Sequence, residues 1–150
     1  MKLRISINGE TWQGDADPGM RLLDFLREQR GLTAAKEGCG EGECGACAVL
    51  LDDMLVNSCL VPLGQVDGRR LTTLEGLSPA DPLLAAFAEC GGTQCGICTP
   101  GMILAARNLL ARQARPTLAD VREGLSGNLC RCTGYTRIYA AVMRAAEMDA

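Results

Sequence analysis

Cysteine carries the chemistry available to this chain of 150 residues, which has nine cysteines and no histidine. The absence of histidine excludes Ser–His and Cys–His nucleophilic pairs, a haem histidine ligand, a Rieske centre and any zinc site that uses histidine. No apolar stretch typical of a signal peptide follows Met1. We therefore expect a cytoplasmic, reducing location, where structural disulfides are disfavoured, although export together with a partner is also compatible. Many thiols in that setting favour sulfur ligation of metal.

The first cysteine group has the spacing C-x4-C-x2-C and a fourth cysteine after eleven further residues. This spacing is typical of plant-type 2Fe–2S sites. A structural zinc site is the alternative, but zinc ligands usually form two short C-x2-4-C pairs, and this group does not divide in that way. Gly40, Gly42 and Gly45 would let the loop turn with positive φ and bring backbone N–H groups close to sulfur. The group consists of Cys39, Cys44, Cys47 and Cys59.

The second cysteine group has a C-x2-C pair, thirty-one further residues and then a C-x-C pair. Its spacing is less diagnostic, because a 2Fe–2S cluster, a 4Fe–4S cluster, a zinc ion and a redox dithiol all remain open. A dithiol would leave the second pair without a role. The group consists of Cys95, Cys98, Cys130 and Cys132, and the ninth cysteine, Cys90, is interpreted as a buried apolar thiol.

The elements that must position these groups change character along the chain. In the first half, alternation from Leu3 to Ile7, the dipeptide Asn8-Gly9 and a return strand at 11–13 predict a hairpin. Asp17-Pro18 predicts a helix start and Gly31 its end. Residues 37–46 are predicted to be loop, 48–51 and 54–57 a second hairpin, and 71–74 a last short strand.

The second half is predicted to be helical. A break at 75–82 precedes a helix at 83–90, and Thr99-Pro100 is predicted as the N-cap and first residue of a helix to about 113. Thr117 and Asp120 indicate a capping box, and Ile138, Val142 and Ala145 a final helix. We expect two domains, 1–76 and 77–150, each with a small core that a metal site would help to stabilise.

The composition of the chain argues against nucleic acid and a membrane as partners. The net charge is −3 and aromatic residues make up 3% of the chain, so neither a basic field nor base stacking favours nucleic acid. The sequence contains no run of about 18 apolar residues, so it predicts no membrane span. The acidic residues of the first cysteine loop, Glu37, Glu41 and Glu43, are interpreted as solvated loop charges. We therefore expect no catalytic residues on this chain.

Three strings resemble one family: EGCGEGECGAC, QCGICTPGM and NLCRCTGY. In this order they are similar to the small iron–sulfur subunit of the molybdenum hydroxylases, of the xanthine dehydrogenase, aldehyde oxidoreductase and carbon monoxide dehydrogenase type. The resemblance extends over almost the whole chain. It implies an α+β fold, in which a plant-ferredoxin-like β-grasp domain precedes a four-helix bundle, and it implies that both clusters are 2Fe–2S.

The resemblance also implies an electron relay. Cys39, Cys44, Cys47 and Cys59 would bind an N-terminal cluster facing FAD in a medium subunit, and Cys95, Cys98, Cys130 and Cys132 a C-terminal cluster beside molybdopterin in a large subunit. Gln94 and Cys132 would contact the pterin, although Gln94 could instead cap backbone groups. A heterotrimer, or a dimer of heterotrimers, is implied. A free two-cluster ferredoxin and a zinc-stabilised interaction module are the alternatives.

Overall fold

The first hairpin follows from its sequence pattern. In the computed structural model, which describes residues 1–148, Leu3, Ile5 and Ile7 are buried along strand β1 (Lys2–Ile7). Asn8 and Gly9 have φ values of 52° and 87°, as expected for a two-residue turn that matches the twist of the strands. Strand β2 (Glu10–Asp15) then pairs antiparallel with β1.

A five-stranded sheet has the order β2-β1-β5-β3-β4. The second hairpin joins β3 (Ala48–Leu51) to β4 (Met54–Asn57) through Asp52 and Asp53, which both have positive φ. Strand β5 (Arg70–Thr72) runs parallel to β1 and antiparallel to β3. It is shorter than the predicted strand, because Leu74 begins a 3₁₀ turn (Leu74–Gly76). Two further 3₁₀ turns lie between β4 and β5, Ser58–Leu60 and Leu63–Val66.

The predicted helix start at Asp17-Pro18 is wrong. The Asp17 side chain accepts a hydrogen bond from the Gly19 backbone N–H at 2.9 Å, which closes a local turn in place of a helix cap. Helix α1 begins later, at Leu22 (Leu22–Asp24), and continues as a π-helical turn (Phe25–Gln29). Gly31, with φ of 67°, follows the end of this segment as the sequence predicts.

Four helices make up most of the second half. Asp81 caps α2 (Pro82–Glu89) by accepting from the Leu83 N–H at 3.0 Å, and the predicted capping box of α4 (Leu118–Gly124) is present. Helix α3 (Thr99–Arg112) contains Thr99 as its first residue, not as its N-cap, because the preceding Cys98 already has helical backbone angles. Helix α5 (Thr136–Met148) closes the described chain and packs on α2 and α4.

Two hydrophobic cores lie side by side. The first fills the space between the sheet and α1 around Phe25, and the second lies among α2, α3, α4 and α5 around Met102. Helix α3 packs against β3 and β4, so it joins the two cores. Within residues 1–148 no helix has both the length and the apolar character needed to cross a membrane. The two cysteine groups lie in different halves of the sequence, and contacts between the halves determine how the groups meet.

Candidate metal centres

Backbone N–H groups converge on the first sulfur of the first group. The N–H groups of Glu41, Glu43 and Cys44 donate to Cys39 Sγ at 3.4, 3.3 and 3.4 Å, and the Cys39 N–H donates to Cys44 Sγ at 3.4 Å. These donors, with that of Glu41 the strongest, lower the pKa of Cys39 to about 7. The loop therefore favours a thiolate at this position before any metal is considered.

Glycine is required where this loop turns around its sulfurs. A Cβ on Gly38 would lie 2.7 Å from Cys44 Sγ. Gly42 has φ of 78°, and a Cβ there would overlap the Leu60 side chain. The sequence predicts that glycines shape this loop. The structure agrees, because a side chain at Gly38 would clash with the Cys44 sulfur and one at Gly42 would clash with Leu60.

The other two thiols of the first group lie deeper. Cys47 and Cys59 are both buried and contact one another. Ser58 fixes their spacing, since its hydroxyl donates to the Cys47 carbonyl at 2.7 Å and its own N–H donates to the same oxygen at 3.3 Å. Burial is the main reason that the pKa of Cys47 rises to about 11. Without a cation nearby Cys47 favours the neutral thiol, so a bound metal would have to supply the compensating charge.

The second group closes into a ring of neighbouring thiols. Cys98 contacts Cys130, Cys132 contacts Cys95, and electrostatic interactions join these two pairs. Cys98 is buried whereas Cys95 and Cys132 are exposed, so one side of the group faces outward. Burial raises the pKa of Cys98 to about 12, and the contact with Cys95 raises the pKa of Cys132. The helical half thereby brings together two cysteine pairs that are separated by thirty-one residues of chain.

Cys130 is held by two side chains of its own loop. Its N–H donates to the Tyr135 phenol oxygen at 2.9 Å, and its Sγ accepts from the Thr133 hydroxyl at 3.1 Å. Burial is the largest influence and acts to raise the pKa of Cys130, but the hydrogen bonds from Thr133, Cys132 and Cys98 together outweigh it and the pKa lies below its ordinary value. Neither Thr133 nor Tyr135 is predicted as a site residue from the sequence, although both lie within the string NLCRCTGY.

A contact between distant loops joins the two cysteine groups, and we call it the inter-group contact (Cys44, Gly45, Gly101, Asn128 and Leu129). The Leu129 N–H donates to the Cys44 carbonyl at 2.9 Å, and the Asn128 side chain donates to the Gly45 carbonyl at 3.1 Å. Asn128 is only 4% exposed. A Cβ on Gly45 would lie 2.6 Å from the Asn128 amide nitrogen, and one on Gly101 would overlap the Gly45 carbonyl oxygen. Backbone of one group therefore touches backbone adjacent to the other.

The sulfurs meet in pairs, which bears on what they could hold. Within residues 1–148 no three Cys, Asp or Glu side chains converge closely enough to surround one metal ion. The observed pairs are Cys39/Cys44, Cys47/Cys59, Cys95/Cys132 and Cys98/Cys130. A 2Fe–2S cluster has two irons and takes two protein ligands on each, so paired thiols suit it better than they suit a single zinc ion. The donors and the paired spacing fit the group that the sequence predicts.

Other residues singled out from the sequence have varied surroundings. Gln94 is exposed in the loop between α2 and α3, next to Cys95. Glu37 is only partly a solvated charge, because it accepts from Arg21 at 2.8 Å and ties the first loop to the start of α1. Cys90 lies at the C-terminal end of α2 and packs against the second core, but it is half-buried and not fully buried as the sequence predicts.

Two family models together match most of the chain. A model described as a 2Fe-2S iron-sulfur cluster binding domain matches residues 5–72, and one described as a [2Fe-2S] binding domain matches residues 73–143.

Relatives match along nearly the whole length. The nicotinate dehydrogenase small FeS subunit of Eubacterium barkeri is 47% identical over 97% of this chain and 94% of that protein. The aldehyde oxidoreductase of Megalodesulfovibrio gigas is 43% identical over 96% of this chain but only 16% of its own length. The crystal structure of quinoline 2-oxidoreductase from Pseudomonas putida 86 superposes with a TM-score of 0.94 at 42% identity, covering 98% of this chain and 94% of that one. The same unit is thus found both as a separate chain and as part of a longer one.

The inter-group contact leads to a prediction about Gly101. Alanine at this position should destabilise the protein by about 1–3 kcal/mol, the usual cost of inserting a methyl group into a packed interior, even though alanine is the better helix former. The measurement is the thermal unfolding midpoint of the loaded protein. Gly127→Ala is the matched control, since a Cβ there meets nothing within 4 Å. Equal midpoints for the two variants would contradict the tight approach of α3 to the first loop.

Proposed function

Because this chain belongs to the small iron–sulfur subunit family of the molybdenum hydroxylases, we propose that it relays electrons through two 2Fe–2S clusters from a molybdopterin centre to FAD or another acceptor in partner subunits. It is the electron-transfer subunit of an oxidoreductase complex, and we propose that it contributes no catalytic residue to substrate turnover. The observation that carries the proposal is the inter-group contact, which links two thiol groups by one hydrogen bond between backbones.

The ligands proposed for the N-terminal cluster are Cys39, Cys44, Cys47 and Cys59, and those for the C-terminal cluster are Cys95, Cys98, Cys130 and Cys132. Each cluster, when bound, supplies one-electron redox chemistry. The protein provides the charge environment: N–H groups of the first loop donate to Cys39 Sγ, and the hydroxyl of Thr133 donates to Cys130 Sγ. Donors to sulfur and the degree of burial are what a protein uses to adjust the potential of such a group.

Differences in exposure support a direction for the relay. Cys95 and Cys132 are exposed, as is the neighbouring Gln94, so this face is open to a partner. We propose that it faces the molybdopterin of a large subunit and that Gln94 and Cys132 contact the pterin. Electrons would then cross the inter-group contact and leave through the first group towards an FAD-binding medium subunit. Burial of Cys47 and Cys59 keeps water from the inner side of that group.

The proposed function goes with a division of the chain into two domains. We propose that residues 1–76 form a plant-ferredoxin-like β-grasp domain and that residues 77–150 form a four-helix bundle. The five-stranded sheet with α1 and the packing of α2, α4 and α5 support this division. A heterotrimer, or a dimer of heterotrimers, is the proposed assembly.

Purification under mild conditions at native expression level tests the assembly. We expect this chain to accompany a large molybdenum-containing chain and a flavoprotein chain, as part of a heteromeric complex. Purification as a lone iron-containing monomer would favour a free ferredoxin, and a colourless protein that holds zinc and no iron would contradict the relay altogether.

Replacement of one proposed ligand should separate the two clusters. Cys47→Ser should lower the iron content by about half and remove or alter one EPR signal of the reduced protein, while the signal of the other cluster persists. Cys90→Ser is the matched control, because Cys90 belongs to neither group, and it should keep both signals and full iron content. Loss of iron from Cys90→Ser, or full retention in Cys47→Ser, would overturn the assignment of ligands.

A second replacement tests the proposed entry point. In the assembled enzyme, Gln94→Ala should keep both clusters but slow their reduction by substrate on the order of tenfold, because a contact between the pterin and the second group is lost. Rapid-mixing absorption spectroscopy measures this rate. Gln13→Ala, which removes an equally exposed glutamine from β2, should leave it unchanged. An unaltered rate in Gln94→Ala would rule out the pterin contact.

A further inference from the structure

We propose that the Thr133 hydroxyl raises the reduction potential of the C-terminal cluster, and so favours entry of the electron there, by donating a hydrogen bond to the Cys130 sulfur. This rests on the proposed function, since it takes Cys130 as a ligand of that cluster. Thr133 lies outside the set of proposed ligands and pterin contacts, and it is assigned here a role in setting the potential.

The hydrogen bonds around Thr133 determine which way it donates. Its Oγ1 lies 3.1 Å from Cys130 Sγ and accepts the Tyr135 N–H at 3.2 Å. A hydroxyl has a single hydrogen, and with one lone pair engaged by Tyr135 that hydrogen is free to point at sulfur. An iron-bound thiolate has no hydrogen and can only accept. The bond is therefore O–H to S, from a neutral donor to the sulfur on which part of the added charge of the reduced cluster resides.

The backbone that holds this hydroxyl is strained. Tyr135 has φ of 69°, in the left-handed region that an aromatic residue rarely adopts. Two contacts compensate: its phenol oxygen accepts the Cys130 N–H at 2.9 Å, and its ring stacks on Tyr139 with centroids 5.8 Å apart. In this unusual conformation the Tyr135 N–H points back to Thr133 Oγ1. The unusual Tyr135 conformation thus orients the Thr133 hydroxyl, which donates to the Cys130 sulfur.

Both groups use backbone N–H donors, and the second group adds a side-chain donor. Cys39 Sγ accepts from backbone N–H groups, which remain after most side-chain replacements. Cys130 Sγ accepts from the backbone N–H groups of Cys132 and Thr133 and also from the Thr133 hydroxyl, which can be replaced alone. A hydrogen bond to a ligand sulfur stabilises the reduced, more negative form of a cluster and so raises its potential. Removal of the hydroxyl should shift the electron towards the other cluster.

A redox titration of the full chain with both clusters bound, followed by EPR so that each cluster is measured separately, tests this role. In Thr133→Val we expect the C-terminal cluster to become harder to reduce, with the electron distribution between the clusters shifted about tenfold towards the N-terminal one, or 59 mV for one electron. Thr133→Ser should restore the original potential because it keeps the hydroxyl. The N-terminal potential should not move in either variant.

Thr93→Val is the matched control. Thr93 is exposed two residues before Cys95, and its hydroxyl is paired with that of Thr99 at 3.3 Å. We expect no shift in this variant. Unchanged potentials in Thr133→Val, or equal shifts in Thr133→Val and Thr133→Ser, would overturn the proposal, because the first outcome denies the hydrogen bond any effect and the second assigns the effect to packing.

A measurement on the unmodified protein keeps the test decisive should Thr133→Val fail to retain its cluster. After brief exchange into D₂O, pulsed EPR of the reduced C-terminal cluster should detect a rapidly exchanging hydroxyl deuteron coupled to the cluster, distinct from the slower backbone amides of Cys132 and Thr133, and its absence would overturn the proposal. Chemical mediators poise the potentials, so no partner subunit is needed. The proposal about Thr133 and the proposed function can therefore fail separately. If Thr133→Val shifts the potential of the isolated chain but the complex does not relay electrons, only the proposed function is contradicted.

Discussion

The hydrogen bond from the Leu129 N–H to the Cys44 carbonyl is the contact on which the arrangement of the two cysteine groups depends. It joins a residue of the first group to the residue immediately before Cys130. The buried Asn128 side-chain amide holds the same segment by donating a hydrogen bond to the Gly45 carbonyl. The two loops can approach here because Gly45 and Gly101 carry no side chain: a Cβ on Gly45 would collide with Asn128, and one on Gly101 would collide with the Gly45 carbonyl oxygen.

Burial and hydrogen bonding divide the thiols of each group into unlike pairs. In the first group Cys39 is half-exposed and surrounded by N–H donors, whereas Cys47 and Cys59 are buried against the first core. In the second group Cys98 is buried, whereas Cys95 and Cys132 face outward. Each group therefore has a buried side that excludes water and a more exposed side.

Local sequence signals succeeded where the chain around them has a single low-energy solution. Asn8-Gly9 and Asp52-Asp53 turn their hairpins with positive φ, and the Thr117/Asp120 capping box starts α4. The same signals failed where another local turn or a tertiary contact competes. Asp17 closes a turn ahead of α1, and Thr99 lies inside α3 because Cys98, held among the second group of thiols, already adopts the helical conformation.

The sequence by itself determined the donor atoms, since nine cysteines without histidine leave sulfur as the ligand, and it predicted the first site through a spacing confined to nine consecutive positions plus one hairpin. Only the tertiary structure decided how the second four thiols meet, that the two groups touch, and that Thr133 and Tyr135 hold Cys130. The reason is physical: residues close in sequence share one loop geometry, whereas contacts such as Asn128 to Gly45 exist only after helices and sheet have packed.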